Sequence, residues 1–130
     1  TLRIPDSPGN NRLDSLKNII ESGRVGLLFL IPGVDETLRI NGAAHVSVDA
    51  EKLQLFASEK RAPKVVIEVT IEEAYLHCAK AFMRSKLWAD ESRLERSVLP
   101  TMGQMIQEQI GRSGSPESQE EMLARYAQDI

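Results

Sequence analysis

A single cysteine, Cys78, stands in the chain, so no intramolecular disulfide framework can stiffen it. With only His45 and His77 beside it, the usual ligand spacings of a structural zinc site are missing as well. The longest apolar run, Val25 to Ile31, falls far short of the roughly 18 to 20 residues of a membrane span, and no signal peptide is visible. Excess basic charge is absent too. A net charge of -3 and a pI of about 5.4 argue against nucleic-acid binding as the main role, because phosphate backbones are held by basic surfaces. No G-x-S-x-G, Walker loop or dinucleotide glycine fingerprint occurs, which removes the main support for hydrolase and kinase readings. What remains is a 130-residue chain of ordinary globular composition, 42% apolar and 27% charged, suited to a reducing cytoplasm.

The patterning that is present begins with a weakly alternating strand, Thr1 to Ile4, stopped at Pro5. Turn residues fill Pro5 to Asn11. Helix spacing of Leu13, Leu16, Ile19 and Ile20 predicts a helix from about Arg12 to Ser22, with Asn11 as N-cap, Asp14 completing a shortened capping box, and Gly23 as terminator. Val25 to Ile31 lacks alternation, which predicts a central strand buried on both faces, with Gly26 admitting a close neighbour. After the Pro32 to Asp35 reversal, Thr37 to Val48 alternates cleanly. Leu38, Ile40, Ala44 and Val46 take one face, and Thr37, Arg39, Asn41, His45 and Ser47 take a polar face that meets water, a ligand or a partner.

Asp49 opens a short helix with Leu53 and Phe56, and a strand follows from Lys64 whose parity changes near Glu73, the mark of a bulge. Lys80 to Trp88 reads as a helical turn or two with Phe82, Met83 and Leu87 inward. Beyond Trp88 the composition shifts. We divide the chain there, into 1–88 and a helical extension 89–130. The extension holds one helix from Thr101 to Gly111 and a last one capped by Ser115 with Pro116 at its first position, its stripe being Met122, Leu123, Tyr126 and Ile130. The strands visible from Thr1 onward cannot close a barrel, so further strands before Thr1, extensive dimerisation, or both are expected.

Three constellations could carry chemistry. Asn10, Asn11 and Arg12 combine a helix start with a forked cationic donor, which suits a phosphate, although a plain capping loop has the same composition and Asp14 competes for the same donors. Lys80 and Arg84 lie four apart and so on one helical face, beside Ser85, Lys86 and Trp88; the other reading is a solvated basic face next to a core tryptophan. Thr37, Arg39 and Asn41 share a strand face that is either a ligand surface or simply exposed. His45 and His77 have no nucleophile or orienting carboxylate near them in sequence and read as structural, as does Cys78 in its apolar context.

Taken in order, the segments NNRLDSLKNI, RVGLLFLIPG, ETLRINGAAHVS and LHCAKAFMRSKLW resemble the pyridoxamine 5'-phosphate oxidase-like family of FMN-binding split barrels, over Thr1 to about Trp88 and in a bacterial branch of uncharacterised members. The resemblance implies a mainly β fold with flanking helices and a homodimer with FMN at the subunit interface, each flavin touched by both subunits. It places the FMN phosphate on Asn10, Asn11 and Arg12, with Ser15 nearby. Ring or ribityl contacts fall on Thr37 and Arg39, and a branch signature near the flavin on Lys80, Arg84, Ser85 and Trp88. The activity implied is that of an FMN-dependent oxidoreductase acting on a small molecule, without metal, membrane or nucleic acid; the alternative is a non-catalytic binder of flavin, deazaflavin or haem on the same fold. The tryptophan and arginine segment with which the true oxidase grips pyridoxal has no match in the acidic tail, so vitamin B6 oxidation is not the expected reaction.

Overall fold

A computed structural model describes residues 1–7 and 9–128. Pro8, expected in the first loop, and Ile130, expected on the last helical stripe, lie outside the described residues. The chain divides into two compact units, Thr1–Ala89 and Asp90–Ile130.

The first unit is built on four antiparallel strands, β1 (Leu2–Pro5), β2 (Arg24–Leu30), β3 (Thr37–Ser47) and β4 (Val66–His77), in the spatial order β1-β4-β3-β2. The sheet curls into a half-barrel with helices at its flanks. β1 pairs only with β4, and that edge position tolerates Pro5 because a missing N–H costs nothing on an open side. Between β3 and β4 the register slips at Asn41/Gly42, so that Asn41 faces Glu73 and Gly42 faces Ile71. Glu72 is therefore the extra residue of a bulge, where the parity change placed one. Gly42 is required there, since a Cβ would run into the Thr70 carbonyl.

One face of this sheet buries its apolar residues beneath helix α1 (Asp14–Ser22). Ile19 from the helix, Ala44 from β3 and Val69 from β4 form the core, and Leu2, Val25, Leu27, Val46 and Ile67 pack around them. Gly23, at φ 67, ends the helix as expected and turns the chain directly into β2. The other face carries helix α2 (Ala50–Gln54), opened by Asp49, whose carboxylate accepts the Glu51 N–H at 3.0 Å.

Several expectations are corrected. The first helix starts at Asp14, two residues late, with Leu13 at its N-cap and no side-chain cap bond, so the Asn11/Asp14 box does not form. The reason is local: Asn11 takes a left-handed φ of 57, and the Asn10 side chain accepts the Arg12 N–H at 3.0 Å, a turn that competes with helix. β2 is not central. β4 sits between β3 and β1, leaving β2 on the sheet edge with Leu28, Phe29 and Leu30 exposed. Its unbroken apolar run lies on an edge strand and is not covered on both faces. Thr37, placed by parity on an open polar face, is only 6% exposed, whereas Cys78 is exposed rather than packed. Helix α3 (Lys80–Ser85) turns Phe82 inward but leaves Met83 and Leu87 exposed.

The second unit holds two short 3-10 turns, Asp90–Ser92 and Arg96–Val98, then helices α4 (Met102–Ile110) and α5 (Gln119–Tyr126). Thr101 and Gln104 cap α4 reciprocally, and Gly111 at φ 62 ends it. The last helix is capped by Ser118, not by Ser115, because Ser118 and Glu121 form a full capping box, and those bonds hold the Glu121 carboxyl below its ordinary value. Residues 111–118 form the connection instead. Its Gly114 carbonyl accepts the Gln107 side chain at 2.7 Å, and the Glu117 backbone lies so close to Gly103 that no Cβ fits there.

Candidate functional site

Residues 6–7 and 9–13 meet the approach to β4 because the β1/β4 pairing continues one step past the strands, the Asp6 N–H donating to the Val65 carbonyl at 3.0 Å. Between them lies a cavity of about 130 Å³, lined among others by Asp6, Asn10, Asn11, Arg12, Leu13 and Lys64. Arg12 Nε donates to Asp14 Oδ2 at 2.7 Å, a pair that stands well out in solvent. An incoming anion would exchange that weak exposed pairing for its own. Among the described residues no side chain caps the first turn of α1, which leaves its amides without a side-chain partner beside Arg12. Ser15 lies in that first turn, exposed, and does not line the cavity.

Cavity size limits what fits. About 130 Å³ accommodates a phosphate-sized headgroup, and the donor set of guanidinium, asparagine amides and backbone N–H suits one, but a tricyclic ring must lie elsewhere. A candidate surface for a ring is the sheet face opposite α1. There the cross-strand register puts Leu28, Arg39 and Tyr75 in one row, with Leu30, Thr37 and His77 in the next. The Arg39 side chain is exposed and makes no hydrogen bond or ion pair among the described residues, while apolar Leu28 and aromatic Tyr75 flank it.

Lys80 and Arg84 both lie on α3 and are exposed. Ser85 turns back on its own helix, Oγ donating to the Phe82 carbonyl at 3.1 Å. Trp88 is anchored: its indole N–H donates to the Val34 carbonyl at 2.8 Å and its ring meets Phe82 edge to face at 5.9 Å, tying α3 to the β2–β3 turn. A shallow groove of about 340 Å³ runs between that turn and α3 past Trp88, Met83 and Asp35.

These groups do not converge within one protomer. The Arg12 cavity sits level with the Val66/Ser47 end of the sheet, whereas Arg39 is eight residues, or about 26 Å of strand, further along β3, and Trp88 lies beyond it at the opposite end.

Two features escaped sequence reasoning. Lys64 reads in the sequence as an ordinary strand-entry lysine; only the β1/β4 pairing carries it to the loop. His45, which has no carboxylate near it in sequence, faces Glu68 across the β3/β4 ladder at 3.5 Å. Glu68 also accepts Arg3 at 2.8 Å and Lys52 at 3.1 Å, and these two cations hold its carboxyl below the ordinary value. Arg24 likewise pairs with the bulge residue Glu72, which raises the guanidinium. Both are structural staples away from the cavity. Among the described residues no group of three His, Cys, Asp or Glu is placed to hold a metal, and no helix is long and apolar enough to cross a membrane.

A curled antiparallel half-barrel with flanking helices is the architecture of the split-barrel class. A sequence model of the family described as pyridoxamine 5'-phosphate oxidase matches residues 1–78, and the chain belongs to that family. Its members typically bind flavin or related ligands, and the fold often dimerises. No curated protein and no solved structure matches the chain.

Proposed function

We propose that this chain is an FMN-binding flavoprotein and an FMN-dependent oxidoreductase acting on a small molecule, working as a cytoplasmic homodimer. The observation that carries the reading is the position of the polar cavity: it lies inside the span matched by a flavin-binding family and is walled by Asn10, Asn11 and Arg12. In this reading Arg12 takes the FMN phosphate, with the amides of the first α1 turn and Ser15 beside it. Arg39 and the row it shares with Leu28 and Tyr75 receive the ring system, and Lys80, Arg84, Ser85 and Trp88 border that end.

Because cavity and row are about 26 Å of strand apart, one flavin touching both takes its phosphate contacts from one protomer and its ring contacts from the other. The exposed, unpaired edge of β2 gives such a dimer apolar surface to bury. Thr37, being buried, acts by supporting the neighbouring Arg39 row rather than by direct contact.

When bound, FMN supplies the redox chemistry; the chain binds, orients and tunes it. Arg39 contributes positive charge on a face with apolar neighbours, where a charge acts more strongly than in water. Leu28 and Tyr75, exposed on the same surface, are the side chains that a bound ring would cover.

The visible spectrum of purified protein titrated with FMN tests the reading. Binding is expected, with Arg12→Ala weakening it by about 1.5 to 3 kcal/mol, the worth of a charge-assisted hydrogen bond. Protein that takes up no FMN, or an Arg12→Ala variant of unchanged affinity, overturns the assignment. Protein that holds FMN yet is reduced neither by nicotinamide cofactors nor by amines is a flavin carrier instead.

A further inference from the structure

Lys64 lines the same cavity as Arg12 and comes from a different part of the chain. It lines the cavity, is exposed, and makes no hydrogen bond or ion pair among the described residues. Arg12, by contrast, is engaged with Asp14. A lysine with no carboxylate partner, held over a polar cavity by the Asp6–Val65 backbone bond, is a point charge without a counter-ion. The cavity also presents Asp6, so its walls carry two positive side chains against one negative.

We propose that Lys64 is the second cation of this site and sets its selectivity for a phosphomonoester dianion over neutral ligands of the same shape. The proposal rests on the flavin reading above and assigns to Lys64 the discrimination between FMN and riboflavin. With Arg12 alone, Asp6 cancels the only positive side chain in the wall, and a dianion gains little over an uncharged hydroxymethyl end. Lys64 adds a positive charge to a wall whose Arg12 is already paired with Asp14 and offset by Asp6. Asp6 in turn weakens the site and keeps the flavin exchangeable.

Fluorescence titration of FMN and of riboflavin against the full chain tests this in wild type, Lys64→Gln, Lys64→Arg and Asp6→Asn. Lys64 is exposed, so the variants are expected to melt with wild type, which the same samples check. Lys64→Gln is expected to raise the FMN Kd about tenfold and leave riboflavin unchanged, the low end for a charged hydrogen bond at a solvated site. Lys64→Arg should retain most FMN affinity. Asp6→Asn should tighten FMN a few-fold, the scale of an exposed charge pair. Inorganic phosphate should compete with FMN less well in Lys64→Gln than in wild type. Unchanged FMN affinity in Lys64→Gln, or an equal loss for riboflavin, overturns the role of Lys64 while the flavin reading stands. A wild-type chain that binds neither flavin overturns both.

Discussion

Near Ser47 and Val66 the four-stranded sheet is closed on both sides. Ile19 of α1 seals Ala44 and Val69 on one face, and on the other Lys52 of α2 reaches Glu68, which Arg3 clamps from β1. Near Leu30, Leu38 and Leu76 the same strands, with residues just as apolar, lie open: Leu30 is 48% and Leu76 70% exposed. The difference lies in what covers the sheet, not in the strands. α1 is nine residues long, about 13 to 14 Å at helical rise, and roofs only part of an 11-residue β3 that extends to more than 30 Å. The closed end is packed on both faces and hosts the cavity; the open end is exposed and carries the Arg39 row.

Core truncation is the hardest test of that contrast. Ile19→Ala empties a site that is 3% exposed and should lower unfolding stability by about 2 to 5 kcal/mol, while Leu76→Ala should stay within about 0.5 kcal/mol in dilute protein. Urea unfolding of both variants reads the two values. If Leu76→Ala costs as much as Ile19→Ala, and more so at higher protein concentration, the open end is covered by a second subunit in solution.

The bulge that separates the two ends comes next. Gly42→Ala forces a Cβ against the Thr70 carbonyl and should cost about 1 to 3 kcal/mol, with amide exchange accelerating first around Asn41 and Glu73. Unchanged stability there would mean the bulge relocates freely.

The smallest effect concerns acid. Arg3 and Lys52 keep the Glu68 carboxyl below its ordinary value of 4.5, so its stabilisation is complete above that value and fades as pH falls through the lower folded-state value. The stability difference between wild type and Glu68→Gln should be flat near neutrality and shrink in acid. A difference that instead grows in acid would contradict the staple.

How much of this was legible in the residues varies with the range of the cause. Gly23, the Asp49 cap and the β4 bulge all follow from neighbours a few positions apart, and each stands where the pattern put it. The α1 start and the α5 start were misread by two and three residues, because an asparagine turn at Asn10 and a better capping pair at Ser118 outcompeted the sites chosen. Of the site, Arg12 was visible as a cation before a helix. Lys64 was not, since 52 positions separate the two and no local rule links them.

Local chemistry in the sequence determined the strands, their alternation, the helix stops and the family's residue pattern, for these depend on backbone sterics and side-chain period within a few residues. Tertiary structure alone decided that an all-apolar strand lies at an edge, that Thr37 is buried and Cys78 is not, and that Arg12 and Lys64 share a cavity while Arg39 stands some 26 Å of strand away. Burial and charge proximity depend on which surfaces meet after folding, and that follows from strand order and register, which no single segment carries.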